Sequence, residues 1–303
     1  MTAPAVRSGP LAGLRVLAPG ATSIADTRPA AVRPTLHHLL THTAGFSYAF
    51  QGGVLGPVYS AAKLGTNPGG GGLELMVEHL ATLPLACEPG SAWHYGVSTD
   101  VLGRVIEVIS GMPLGQFLQE RLFAPLGMTD SAFIVPPEKR DRLAQPFAVD
   151  RATDKPINLL DVTVAQKNDA GGAGSVGTTL DFARFLQMLI NGGQLDGVRL
   201  LSPSTVAYMS ADHLGPNIKF SGATTLPAGT GFGLGFAVRK EAGLFEVTGS
   251  KGEYFWGGAA GTGFYVDPQE GIICVWMTQG QPGIARRLDR YLFKQMVYQA
   301  IAK

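Results

Sequence analysis

Apolar positions recur every three or four residues through much of this chain and switch to alternation after Gly231, so helices are expected first and strands later. Val101, Leu102, Val105, Ile106 and Ile109 define a helix over residues 99–109, with Asp100, Arg104 and Glu107 between them. The turn before it carries Pro89 and Gly90, two residues that interrupt regular structure. Leu75, Met76, His79 and Leu80 share a face over 73–83, as do Leu114, Phe117, Leu118 and Leu122 over 113–123. Phe182, Phe185, Leu186, Leu189 and Ile190 mark a further helix, capped by Thr178 or Thr179 and ended at Gly192. Ser202-Pro203 starts another, and Thr35 caps a short one running through His42.

Alternation gives strands over 232–238, 244–248, 262–266 and 272–277, with residues 267–271 as a hairpin turn between the last two. Links this short force antiparallel neighbours. A last helix over 284–301 turns Leu288, Tyr291, Leu292, Met296, Val297 and Ala300 inward. Residues 1–34, with five prolines including Pro34, read as an irregular segment, and 35–175 as a mainly helical region with cleft-lining loops. Residues 176–303 supply a helix, the antiparallel sheet and the C-terminal helix, as one compact unit with the region before them. The expected class is α/β (α+β), an antiparallel sheet flanked by helices with a helical subdomain.

Composition narrows the function classes. Of 303 residues, 45% are hydrophobic and 16% charged, enough for a sizeable core, and the net charge of +1 gives no electrostatic case for nucleic acid or an anionic membrane. Neither a signal-peptide-length apolar run at the start nor a bilayer-length one elsewhere is found, so a cytoplasmic location is expected. Cys87 and Cys274 are too few for a disulfide framework.

Three places carry candidate chemistry. Tyr95 stands on the turn before the 99–109 helix, where a phenol is either packing with a wet hydroxyl or a proton-transfer group. His37, His38 and His42 are the only histidine cluster; His38 and His42 would share a helical face, but no carboxylate or cysteine nearby supports a metal, and none is expected. Ser60-Ala61-Ala62-Lys63 is the only Ser-x-x-Lys. On a helical turn Lys63 would neighbour the Ser60 hydroxyl and, if desolvated, act as its base. The other reading is a solvated serine in a glycine-rich loop over 46–72.

Four stretches together resemble the class C β-lactamase-like serine hydrolases, and within them the family VIII carboxylesterases. They are Pro34 to Phe46 with its Thr41-His42-Thr43-Ala44-Gly45, Tyr95 with Asp100-Val101-Leu102-Gly103, Phe123-Ala124-Pro125-Leu126-Gly127-Met128, and Trp256-Gly257-Gly258-Ala259. The resemblance implies a serine nucleophile with a lysine in a Ser-x-x-Lys helix, a tyrosine relaying protons, and a strand-edge tripeptide on the opposite wall. That helix lies before the histidine-rich segment in the family. Only residues 1–34 stand there in this chain, without a Ser-x-x-Lys, so the expectation is a member lacking the nucleophile helix and the first strands.

Carried over residue by residue, the resemblance makes Tyr95 the proton relay and Trp256-Gly257-Gly258 the tripeptide, with the N–H of Ala259 an oxyanion donor. Glycine there is expected to let substrate lie along the strand. Trp256 replaces the lysine that holds a lactam carboxylate, and Val97 the amide-orienting asparagine, so a neutral ester is favoured over a β-lactam or a D-aminopeptidase substrate. The nucleophile stays open between Ser60 with Lys63 and another serine. The expected activity is hydrolysis of short- to medium-chain esters through an acyl-enzyme, with no cofactor and a small-molecule ester as partner. The alternative is a truncated, catalytically impaired homologue that binds an ester or a protein. Uncovered apolar surface in such a chain would favour homo-oligomers.

Overall fold

The computed structural model describes residues 9–62, 72–150, 153–166, 169–280 and 287–301, and the chain forms two compact units. The first combines Met1–Leu118, Gln166–Gly174 and His213–Thr225; the second combines Gln119–Ala165, Ser175–Asp212 and Leu226–Lys303.

In the first unit, the N-terminal stretch expected to be irregular contains an antiparallel pair, β1 (Arg15–Leu17) and β2 (Thr27–Pro29). Asp26 shapes the link by accepting from the backbone N–H groups of Thr22 and Ser23. Thr35 caps α1 (Leu36–Leu40) with a capping box completed by His38. The helix stops two residues earlier than expected because His42 takes a left-handed backbone, φ 53°. Then come α2 (Leu55–Ala61), α3 (Gly72–Ala81), the short strand β3 (Ala92–Trp93), α4 (Ser98–Ser110) and α5 (Leu114–Leu118). The buried face of α3 is Leu73, Met76, Val77 and Leu80, rotated from the expected one, with His79 exposed. Gly103 lets α4 close on its neighbours: a Cβ there would meet Leu114 at 2.9 Å and Leu73 at 3.0 Å. The end of α4 is solvated, Ile109 being 77% exposed, and Gly111 terminates it in the left-handed conformation.

The second unit begins with a π-helical turn over Gln119–Phe123, where one long helix from 113 to 123 was expected. Thr178 caps α6 (Thr179–Ile190) and Ser202 caps α7 (Pro203–Met209), as the sequence predicts. The sheet is an antiparallel meander of β4 (Thr230–Phe232), β5 (Ala237–Arg239), β6 (Tyr254–Gly257), β7 (Gly263–Asp267) and β8 (Ile272–Trp276). The helix α8 (Arg287–Gln299) follows. Consecutive residues Phe264 and Tyr265 point to opposite faces of β7, Phe264 meeting Phe182 of α6 and Tyr265 meeting Tyr298 of α8. The sheet is thus covered by a helix on each side.

Three sequence expectations need correction here. The expected strand 232–238 is a hairpin, because residues 233–236 turn, with Gly233 N–H donating to Phe236 O at 2.8 Å and Gly235 at φ 107°. Residues 244–248 form no strand; Phe245 and Val247 are buried and Leu244 is exposed, so the alternation reports burial, while the Val247 carbonyl is taken by the Arg239 guanidinium. On α8 only part of the expected apolar face turns inward: Tyr291 meets Phe245 edge-on at 5.5 Å, and the side chain of Leu288 lies outside the described residues. Leu292 and Met296 are 64% and 58% exposed, whereas Lys294 is buried and pairs with Glu253. Arg239 binds the other oxygen of Glu253 at 2.9 Å, and Tyr298 donates to Asp267 at 2.5 Å. The apolar stripe misleads because charged partners await Lys294 on the sheet. Among the described residues no single helix is long and apolar enough to cross a membrane.

Candidate active site

Tyr95 lies in the first unit, on the turn linking β3 to α4. Trp93 is fully buried before it and Val97 after it, while Tyr95 is half-buried. Four backbone groups around it are engaged. His94 N–H donates to His42 O at 2.8 Å, Gly96 N–H to His42 Nδ1 at 3.4 Å and Val97 N–H to Ser47 O at 3.3 Å, while the Tyr95 carbonyl accepts from Gln51 Nε2 at 2.7 Å. Gly96 has to be glycine, since a Cβ would run into the Phe46 carbonyl. The Tyr95 ring stacks on Trp93 at 6.0 Å and tilts against His42 at 4.7 Å and Tyr48 at 5.3 Å. This turn is clamped along its backbone, with its phenol left at the edge of an aromatic cluster.

Burial sets the charge state of its neighbours. The imidazole of His42 is pushed down to about 3 by burial and by His94, and that of His94 down to about 4 by burial, so both are neutral near pH 7. His94 is bridged between two hydroxyls, Ser47 Oγ at 2.8 Å and Ser221 Oγ at 3.1 Å, the latter on the His213–Thr225 segment. Asp100 is buried in the first turn of α4, its carboxyl pushed up to about 6 by desolvation, and it accepts the Gly172 N–H at 3.1 Å. A Cβ on Gly172 would meet Asp100, Thr99 and the Tyr48 hydroxyl within 3.0 Å, and one on Gly171 would strike the Thr99 carbonyl. The glycine-rich run therefore packs on the helix that Tyr95 opens. Burial and Asp100 hold the Tyr48 phenol well above its ordinary value.

The three histidines do not converge as helical spacing suggested. His37 Nε2 meets His213 Nδ1 at 3.1 Å, His38 Nδ1 takes the Thr35 N–H at 3.4 Å, and the left-handed turn carries His42 toward Tyr95. Among the described residues no His, Cys, Asp and Glu group is arranged to hold a metal ion. Ser60 is exposed on α2, whose inner face is Leu55, Gly56 and Tyr59. Lys63 lies outside the described residues. Burial raises the Cys87 thiol to about 11, which keeps it protonated.

Trp256, Gly257, Gly258 and Ala259 lie in the second unit, at the end of β6 and in the turn to β7. Trp256 pairs with Phe264 and Gly257 with Gly263; Gly258 N–H donates to Thr262 O at 2.9 Å and Gly261 N–H to Gly258 O at 3.1 Å. Ala259 is exposed, and no hydrogen bond occupies its N–H among the described residues. Trp256 is half-buried, edge-on to Phe232 at 5.2 Å. The glycines have a reason inside the fold that the sequence did not suggest. Arg290 from α8 lies across Gly257 and Gly263, donating to Thr262 O at 2.8 Å, and the Thr262 hydroxyl occupies the space beside Gly258.

A strand–turn–helix tyrosine and a glycine-paired strand on a helix-covered antiparallel meander match a known family. The Beta-lactamase family model matches residues 14–297, and the chain belongs to that family. An uncharacterized protein of Mycobacterium tuberculosis is 35% identical over 91% of this chain and 69% of its own length. The lovastatin esterase of Penicillium rubens is 33% identical over 84% of this chain and 66% of its own. The chain thus spans about two thirds of each. The solved structure of EstCE1, a hydrolase with promiscuous acyltransferase activity, superposes with a TM-score of 0.72 at 29% identity, covering 93% of this chain and 74% of that one.

Two residues of the Tyr95 surroundings have roles that the sequence pattern does not mark: His42, one of the histidine cluster, and Gln51, a loop residue that holds the Tyr95 carbonyl. The available signal for His42 was the Ala44-Gly45 stop just after it, which marks where the chain leaves the helix.

Proposed function

We propose that this chain is a serine-type carboxylesterase that hydrolyses neutral short- to medium-chain esters through an acyl-enzyme. The observation that carries the reading is the Tyr95 turn, whose backbone is held at four points while the residue itself stays half-buried. Its relatives named as esterases and as a hydrolase support ester cleavage as the reaction. Trp256, where a lysine would hold a carboxylate, supports an uncharged substrate.

In the proposed cycle a serine hydroxyl adds to the ester carbonyl, forming the C–Oγ bond while its proton passes by way of Tyr95 to the departing alkoxide. Negative charge on the carbonyl oxygen calls for a backbone N–H donor already in place. Water then cleaves the acyl-serine, with Tyr95 relaying the proton back. The nucleophile stays open between Ser60, exposed on α2, with Lys63 as its base, and another serine.

Hydrolysis of p-nitrophenyl acetate by the purified chain, with intact mass after fluorophosphonate treatment, tests the reading. One added label with loss of turnover is expected; loss of both in Ser60→Ala assigns the nucleophile to Ser60, and their persistence assigns it to another serine. No label and no turnover would instead support the binding homologue.

A further inference from the structure

His42 reaches the Tyr95 turn from both sides. It is one of three non-glycine residues with positive φ among the described residues, at 53°, and it is 3% exposed. A left-handed backbone is costly for an ordinary side chain, and such strain persists where the surroundings fix it, often beside a functional group. Here the conformation aims two acceptors of one residue at the N–H groups of the two residues next to Tyr95. The His42 carbonyl takes the His94 N–H at 2.8 Å and Nδ1 takes the Gly96 N–H at 3.4 Å. The same ring lies 4.7 Å from the Tyr95 ring, tilted by 54°.

We propose that His42 is a positioning residue for Tyr95, holding the N–H groups of both its neighbours, His94 and Gly96, through its carbonyl oxygen and an unprotonated Nδ1. The proposal rests on the proton-transfer reading of Tyr95. It gives His42 no proton of its own to move: burial keeps the imidazole neutral, so Nδ1 is an acceptor and Nε2 carries the hydrogen. Gln51 completes the hold by donating to the Tyr95 carbonyl, and Gly96 permits the close approach to the Phe46–Ser47 backbone.

Asparagine is the substitution that separates this role from others. It tolerates the left-handed region, and its Oδ1 occupies the place of Nδ1 as an acceptor. His42→Ala removes that acceptor and keeps the strain. A misplacement of about 1 Å costs about 10²-fold, so His42→Ala should lower kcat by about that factor with KM within about twofold. His42→Asn should restore kcat to within about threefold of the parent, whereas a role needing the imidazole itself would leave the two variants equally impaired. Long-range 1H–15N spectra of the unsubstituted chain give a second measurement, needing neither a variant nor turnover. An unprotonated Nδ1 is expected for His42 at pH 7, and a protonated one overturns the proposal.

Tyr95→Phe separates the two levels of inference. If it leaves esterase activity intact, the proton-transfer reading falls. If it abolishes activity while His42→Ala does not, the positioning role falls and the reading of Tyr95 stands. A 13Cζ tyrosine spectrum, with the Tyr95 line assigned by Tyr95→Phe, should show that line shifted in His42→Ala and unmoved in His42→Asn; an unmoved line in both rejects the hold.

Discussion

The guanidinium of Arg290 fills the space that a side chain on Gly257 would need, and reaches across to Gly263 on the neighbouring strand. Gly257→Ala should therefore force Arg290 aside, an overpacking that costs about 1–3 kcal/mol. Urea unfolding checks the value. The double variant Gly257→Ala with Arg290→Ala should lose less than the sum of the two single losses, because the clash disappears with the arginine. Strict additivity would show that the glycine is needed for another reason.

Removing the Tyr95 hydroxyl should leave the fold and end the proposed chemistry. General acid–base groups contribute about 10²–10⁴-fold, so Tyr95→Phe is expected to lower kcat for p-nitrophenyl acetate by at least the smaller factor. Circular dichroism and thermal midpoint should stay near those of the parent, since the ring keeps its contacts with Trp93, His42 and Tyr48.

Acid should destabilise the first unit through its buried imidazoles. His42 and His94 fall from 6.5 to about 3 and about 4 on folding, so the unfolded chain binds their protons first as pH drops below 6.5. Their contribution is whole above pH 6.5 and is lost toward the folded values. Asp100 works the other way: its carboxyl rises from 3.8 to about 6, so it holds a proton when folded, and its contribution is present below pH 3.8 and lost as pH rises through 6. Replacing His42 by Asn removes one of the two imidazole terms. Between pH 6 and 4 the parent should lose about 1.4 kcal/mol per pH unit relative to His42→Asn, the slope for one proton. Parallel stability curves for the two chains would contradict this.

The inner face of α8 can be tested by exchanging expectations. Lys294→Met leaves Glu253 buried with only Arg239 opposite it, and breaking a buried pair costs about 3–5 kcal/mol. The loss should fall at the lower end because Arg239 remains. Leu292→Ala, at an exposed site, should change stability by no more than about 0.5 kcal/mol. The opposite ranking in urea unfolding would restore the apolar face as the inner one.

Local signals carried most of the architecture. Thr35, Thr178 and Ser202 cap helices where their side chains and neighbours predict, and the 267–271 turn joins β7 to β8 antiparallel. What failed depends on residues outside the element itself. Whether α8 turns Leu292 or Lys294 inward is settled by Glu253, and whether 244–248 pairs is settled by Arg239 taking its carbonyl. Lys294 and Glu253 lie 41 residues apart, and although Arg239 is near Val247 in sequence, no periodicity rule anticipates a side chain taking a strand's carbonyl. The candidate site divides in the same way. Tyr95 and Trp256-Gly257-Gly258-Ala259 were visible as motifs, while the reason for the glycines came from Arg290, and the hold on Tyr95 came from a histidine whose unusual φ no spacing rule reveals.

The chain passes between its two units after residues 118, 165, 174, 212 and 225, so each is assembled from three separated segments. Neither half is a cassette that a single cut could release. A fragment ending near residue 175 would leave Trp93 without its Lys219–Phe220 partner strand and His94 without Ser221. Recombination that swaps the C-terminal portion would therefore also exchange part of the wall around the Tyr95 turn, which makes this molecule a poor donor for block-wise shuffling and a better one for point changes.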